Sequence, residues 1–295
     1  MVTGSVREVA IMGEVGPAQN LAQAQRWNGA SGQYWIEHRE RHLAEHRYLT
    51  PHLFRSAAIK PGDRVLDVGC GCGDTTMAAA RAAGARRGEG AAVGLDLSAP
   101  MLTFARRMAA QADVANARFV RGDAQACPLR CAAFDVVISN FGVMFFDDPV
   151  AAFSGLAAVV RPYGRLAFLC WQDDNQNEVL AIPLRAFGAH MELPGPAAAE
   201  LFVDPGHIIE LLSVTGWQDI RVAPVNEQAR IGSDVKDVMS YIRGMPVIRT
   251  LTASLDPVLT ARVLTAITRQ YRAREGPDGI WVHAAAWLVT ARRAT

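Results

Sequence analysis

The stretch Val65-Leu66-Asp67-Val68-Gly69-Cys70-Gly71-Cys72-Gly73-Asp74 restricts what this chain can fold into more than any other segment. A short apolar run ends in glycines at alternate positions, and a helical pattern from Thr75 to about Ala83 starts directly behind it. Glycine adopts left-handed backbone conformations at no steric cost, so the run reads as a tight strand-to-helix turn with an approachable backbone. The same alternation then repeats. Ala91–Leu95 is a strand, Ala99–Gln111 a helix with Pro100 in its first turn, and Arg118–Arg121 and Phe134–Ser139 are two more strands. The helix Pro149–Val160, the turn Arg161-Pro162-Tyr163-Gly164 and the strand Arg165–Trp171 follow. Continuous Val/Ile/Leu strands alternating with helices predict a parallel sheet covered on both faces, with ligands at the carboxyl ends of the strands.

Beyond Trp171 the alternation breaks. Residues 172–205 read as an insertion, His207–Thr215 as a helix, Asp219–Val225 as a sixth strand, 233–275 as mostly helix and Val282–Thr290 as a last strand. Residues 1–30 are polar and weakly periodic and predict a loosely attached arm. Tyr34 to about Ala58 is helical with an interruption near Thr50-Pro51, before the turn Pro61-Gly62-Asp63. The expected organisation is an N-terminal arm and helical lid over 1–60, then one sheet domain over 61–295. Cap insertions in it are expected at about 172–205 and 233–275.

Composition narrows the function. Thirty basic residues against 29 acidic ones leave a formal charge of +1, too little to grip a phosphate backbone, so no nucleic-acid partner is expected. No apolar run approaches the roughly 20 residues that span a bilayer, and the N-terminus lacks a secretion signal. A cytoplasmic protein without a membrane partner is expected. Five cysteines argue against a disulfide scaffold, and Cys70, Cys72, Cys127 and Cys131 lack a zinc spacing, so no metal is expected.

The chemistry sits at four successive strand ends. The glycine spacing is G-x-G-x-G rather than the G-x-G-x-x-G of a dinucleotide turn, and Asp67 stands two residues before Gly69. A carboxylate there repels a pyrophosphate but suits the cationic methionyl end of S-adenosylmethionine. Asp96 ends the second strand, where it can accept from both ribose hydroxyls. Asp123 follows the third strand, where it can receive an adenine amino group. The fourth strand ends in Ser139-Asn140-Phe141-Gly142 and an aromatic-rich loop.

Together these residues resemble the class I S-adenosylmethionine-dependent methyltransferases. The resemblance is to the bacterial small-molecule group related to the ubiquinone/menaquinone biosynthesis enzymes, and it covers roughly residues 60–172. It implies a Rossmann-like, seven-stranded, mostly parallel α/β sheet with the last strand antiparallel. It also implies S-adenosylmethionine as cofactor and S-adenosylhomocysteine as product. By that pattern Gly69, Cys70 and Gly71 lie against the methionine moiety and Asp67 anchors its amino end, directly or through water. Asp96 holds the ribose, Leu97 and Met101 meet the adenine, Asp123 and Ala124 its edge, and Asn140 and Phe141 the methionyl chain. Tyr34 and Trp35 resemble a lid over the cofactor. Many relatives carry a histidine in the loop after the fourth strand; here Met144 and Phe145 stand instead.

A base, where one is needed, is therefore sought elsewhere. His190, His207 and His283 are the candidates, because the insertion after the fifth strand and the start of an antiparallel last strand both lie on the carboxyl edge. His38, His42 and His46 share a helix face, but interleaved with arginines and glutamates they read as a solvated charged stripe. Trp171, Phe141, Phe145, Phe187 and Met191 either wall an apolar acceptor pocket or pack in the core. The expected activity is in-line methyl transfer to a small, apolar metabolite, with oxygen as first acceptor and nitrogen or carbon next. The competing readings are an NAD(P)-dependent oxidoreductase and a non-catalytic S-adenosylmethionine-binding regulatory or assembly protein. A homodimer is left open.

Overall fold

The computed structural model describes residues 20–84, 90–127, 129–193 and 200–295. The expectation of a loose arm therefore lies outside the described residues over 1–19. Over the rest of that segment it is corrected. Leu21–Asn28 is a helix (α1) whose N-cap, Asn20, accepts from the Gln23 amide at 3.3 Å. The helical stretch after it is three helices, α2 (Ala30–Glu37), α3 (Arg39–Glu45) and α4 (Thr50–Ala57); the expected interruption near Thr50-Pro51 is the start of α4, with Pro51 in its first turn, and the break at His38 was not expected.

The sheet follows as β1 (Arg64–Val68), α5 (Asp74–Ala83), β2 (Ala91–Asp96), α6 (Ala99–Gln111), β3 (Ala117–Arg121), β4 (Phe134–Asn140), α7 (Pro149–Val159) and β5 (Val160–Trp171). Then come α8 (Glu178–Gly188), α9 (Glu200–Val203), α10 (Pro205–Val214), β6 (Trp217–Gly232), α11 (Val235–Gly244), α12 (Pro246–Ala253) and α13 (Pro257–Arg272). The chain ends with β7 (Glu275–Gly276) and β8 (Gly279–Arg293). Strand order is β3-β2-β1-β4-β5-β8-β6, with β1 to β5 paired in parallel and β8 antiparallel to both its neighbours. This is the expected mostly parallel sheet, with the two-residue β7 added as a hairpin on β8.

Three boundaries differ from expectation. The strands β6 and β8 are far longer than 219–225 and 282–290, pairing from Trp217↔Arg293 to Gly232↔Ile280. As the edge strand, β6 keeps one face in solvent, so its Gln, Asn, Glu and Arg residues conceal the strand pattern. The predicted turn Arg161–Gly164 is absorbed into β5 as a register shift opposite Phe134 and Val136, with Tyr163 in the left-handed region at φ 61°.

Side chains at the helix starts fix where the helices leave the carboxyl edge. Ser98 caps α6 by accepting from the Met101 amide at 3.4 Å, and Asp148 caps α7 by accepting from Ala151 at 2.9 Å. Behind the edge, Phe153 of α7 is fully buried among Phe146, Phe168 and Phe202. Its carbonyl accepts from the Trp217 indole at 3.1 Å, which ties β6 to the core. Among the described residues no helix is long and apolar enough to cross a membrane. Phe153→Ala is expected to cost about 3–5 kcal/mol in a urea unfolding titration. A loss below about 1 kcal/mol would show that this aromatic cluster does not hold α7 to the sheet.

Candidate active site

The strand order reverses between β1 and β4, and the crevice opens there. Gly69 lies at φ 67°, and a Cβ on it would stand 2.7 Å from the Gly142 Cα. Gly71, at φ 52°, leaves room only for the Met101 methyl, 2.9 Å from where its Cβ would be. The two turns interlock through bare backbone. Phe141, between them, is itself held at φ 64°, and its ring stacks on Trp171 at 4.0 Å.

A cavity of about 280 Å³ lies over these turns. Its wall contains most of the expected cofactor residues: Gly69, Cys70, Gly71, Asp96, Leu97, Met101, Asp123, Ala124, Asn140, Phe141 and Trp35. Two are placed differently. Tyr34 lines a neighbouring cavity, and Asp67 lies beneath the turn rather than in the wall.

The carboxylates of the site are fixed by backbone. Asp96 accepts from the Gly71 amide through Oδ2 and from the Ser98 amide through Oδ1, both at 2.8 Å. Burial pushes its carboxyl up, against those hydrogen bonds. Asp123 accepts from the Asn20 amide (2.9 Å) and the Gln125 amide (3.0 Å), so the start of the lid is tied to the β3 edge. Asp67 accepts from both the Thr75 and Thr76 hydroxyls through Oδ2 at 2.6 Å, while its Oδ1 is buried with no partner among the described residues. Burial pushes Asp67 up to about 6; the two hydroxyls oppose this, and the Asp96 and Asp74 charges add to it.

The wall therefore favours one ligand chemistry. It offers the Asp96 carboxylate and an unpartnered, buried Asn140 Oδ1, with the unpartnered Asp67 Oδ1 behind the turn. Among the described residues its one guanidinium, Arg39, is already paired with Asp74, its Nε 2.8 Å from Oδ2. Acceptors aimed at hydroxyls, an adenine and an ammonium fit S-adenosylmethionine; a pyrophosphate finds no cation.

The second cavity, of about 210 Å³, adjoins the first and shares Trp27, Trp35, His42, His46 and Phe145 with it. Trp171, Tyr34, Tyr241, Leu180 and His283 contribute to its wall. Of the three histidine candidates only His283 reaches this region; His190 and His207 are exposed and line neither cavity. His190 lies in the turn after α8 and His207 in the first turn of α10, both facing away from the cavities, which topology alone did not reveal. Phe187 is fully buried core, and Met191 packs against that core.

The solvated stripe is also corrected. His42 and His46 are 8% and 7% exposed, because α3 turns that face against the sheet edge. Trp35 stacks on His42 at 3.7 Å and 10°, and His46 lies 4.7 Å from the Phe141 ring. Burial pushes His46 down to about 4, so it stays neutral near pH 7. The aromatic pair Tyr34-Trp35 beside three histidines was the available signal, since aromatic rings rarely border a solvated stripe.

Comparison with known proteins agrees with this geometry. Residues 65–164 match the family model described as a methyltransferase domain. The chain is 32% identical over 143 residues to a demethylmenaquinone methyltransferase of Lactiplantibacillus plantarum, covering 48% of this chain and 58% of that one. The chain thus spans little more than half the length of the curated relatives it matches. The fold resembles a protein of Bacillus subtilis (TM-score 0.56, 17% identity, 85% of this chain and 100% of that one). It also resembles a Haemonchus contortus phosphoethanolamine N-methyltransferase solved with S-adenosylhomocysteine (TM-score 0.50, 18% identity, 83% and 52%). The fold is that of the class I methyltransferases, residues 65–164 match a methyltransferase domain that resembles those of the ubiquinone/menaquinone biosynthesis methyltransferases, and the cavity wall fits S-adenosylmethionine.

A carboxyl whose folded pKa lies above its unfolded value binds protons more tightly when folded. For Asp67 that makes stability fall as pH rises from about 4 to about 6 and stay level above. Asp67→Asn is therefore expected to melt higher than wild type in the absence of ligand, by a margin that grows across this window. The same variant should bind S-adenosylhomocysteine about tenfold more weakly by calorimetry. A pH-independent margin would contradict the strained-carboxyl account.

Proposed function

We propose that this protein transfers the methyl group of S-adenosylmethionine to a small, largely apolar acceptor seated in the second cavity, with oxygen as the first-choice acceptor and nitrogen or carbon next. The observation that carries the reading is the pair of adjoining cavities with a common wall of Trp27, Trp35, His42, His46 and Phe145. A protein that merely binds the cofactor has no use for a second, aromatic-walled chamber beside it.

The bound cofactor supplies a methyl on a sulfonium sulfur that departs neutral, so the protein need not stabilise a leaving anion. The task left to the chain is alignment and exclusion of water, which can lower a barrier by several kcal/mol. Asp96, Asp123 and Asn140 are placed to fix the polar ends of the cofactor. Trp27 and Phe145, 5.1 Å apart and edge to face, cover the junction, and aromatic faces favour a cation there. Trp171 and Tyr241 give the acceptor side flat apolar surfaces that suit a planar ring. The oxidoreductase reading loses support because the wall offers no cradle for phosphates.

Incubation with methyl-labelled S-adenosylmethionine and a panel of phenols, amines and thiols tests the proposal, with label expected in the phenols first. Leu180→Trp fills the second cavity without touching the first. It should reduce transfer at least about tenfold while leaving S-adenosylhomocysteine affinity within about twofold. Undiminished transfer in that variant would show that the acceptor sits elsewhere.

A further inference from the structure

We propose that His42 is the general base of the reaction, taking the proton of an acidic acceptor hydroxyl of the phenol or enol class, with Tyr241 and Glu45 holding its ring for that role. This rests on the methyl-transfer reading above. His42 lines both cavities, so it stands at their junction. Its two ring nitrogens have opposite surroundings. Nδ1 lies 3.4 Å from the Tyr241 hydroxyl and 3.6 Å from Glu45 Oε2, whereas Nε2 is buried and, among the described residues, has no hydrogen-bond partner.

The hydrogen-bond order sets the tautomer. The Tyr241 hydroxyl donates to Glu45 Oε2 at 3.3 Å, so its oxygen can only accept from Nδ1–H. The lone pair is then on Nε2, the nitrogen without a partner. A histidine backed by a carboxylate and left unpartnered at its other nitrogen has the hydrogen bonding of a general base. Burial raises Glu45, but the hydrogen bonds from His42 and the Tyr241 hydroxyl, with the attraction of the His46 and His42 rings at pH values low enough to charge them, bring it below its usual range, so it remains a carboxylate. Burial and the Glu45 charge hold Tyr241 protonated, as a donor must be.

The charged and titratable groups around the ring come from three helices. On α2 stands Tyr34, whose hydroxyl donates to the Tyr241 carbonyl at 2.9 Å, and between α2 and α3 His38, whose Nδ1 is 2.9 Å from the Tyr34 carbonyl. On α3 are Glu45 and Arg41, the latter paired with Asp237 and 4.7 Å over the Tyr241 ring, and His46 follows directly after its end. Tyr241 comes from α11. The alternatives are weaker. His46 also reaches the junction, but burial pushes it down to about 4, which makes it a poor base. His283 and Asp174 line the second cavity alone.

In the step itself, the acceptor O–H bond breaks and the proton passes to Nε2. The oxygen keeps the electron pair and uses it to bond the transferred methyl carbon, while the carbon–sulfur bond breaks and its pair stays on the sulfur, which leaves as a neutral thioether. The imidazolium, beside the Glu45 carboxylate, returns its proton to solvent once the product has left.

The test uses 4-nitrophenol, whose phenolate is coloured and whose phenol is not, added to protein saturated with S-adenosylhomocysteine. Bound to wild type it should be largely ionised. In His42→Gln, at saturating S-adenosylhomocysteine, the ionised fraction of the bound phenol should fall at least about tenfold. Tyr241→Phe keeps the ring and loses the hydroxyl; it should lower the fraction at least about threefold, and it decides the matter if His42→Gln does not fold. An unchanged ionised fraction in these variants overturns the assignment. So does a wild-type protein that binds S-adenosylhomocysteine but not the phenol. Failure of wild type to bind S-adenosylhomocysteine overturns instead the methyl-transfer reading itself.

Discussion

The turns after β1 and β4 pass each other with no side chain between them. A Cβ on Gly69 would lie 2.7 Å from the Gly142 Cα, and one on Gly142 would lie 2.8 Å from the Gly69 Cα. This contact sits where the strand order reverses, so it decides where the sheet edge opens and how closely a ligand approaches the backbone. The neighbouring geometry follows from it. Phe141 is forced into a left-handed conformation that turns its ring onto Trp171, and the Ser139 hydroxyl bridges the two turns by donating to the Val68 carbonyl at 2.7 Å.

What the sheet leaves open, the N-terminal helices close. Asn20 anchors them at Asp123 and, through its side chain, at the Phe145 carbonyl 2.7 Å away. The Trp27 carbonyl accepts from Ser98, and the Asn28 side chain donates to the Leu97 carbonyl, so α1 is stitched along the same edge as the Asp96 carboxylate. The lid carries rings where the sheet carries carboxylates. The first cavity thus meets carboxylates on its sheet side and rings on its lid side, while the second is walled mainly by rings and apolar side chains.

Much of this was legible in the residues, for identifiable reasons. The glycine turn, Asp96 and Asp123 are local features whose chemistry depends on their immediate neighbours, so reading the chain in order finds them. The buried histidines were not legible. Whether His42 faces water or Trp35 is decided by α11 and its Tyr241, about 200 residues away in sequence, and an i, i+4 spacing looks the same in both cases. The same reason explains why His190 and His207 were overvalued. Topology places a loop on the correct edge but does not say which way a helix in that loop turns. The edge strand β6 was read short because half its residues face solvent, where strand composition is weakly constrained.

The central claim is that sheet edge and N-terminal helices form one site around one cofactor. Amide hydrogen exchange with and without S-adenosylhomocysteine addresses it most directly. The account predicts slowed exchange in three places at once: the Gly69–Gly73 turn, the segment after Asp96, and the helices from Leu21 to Glu45. Protection confined to the sheet turns, with the N-terminal helices unaffected, would contradict it.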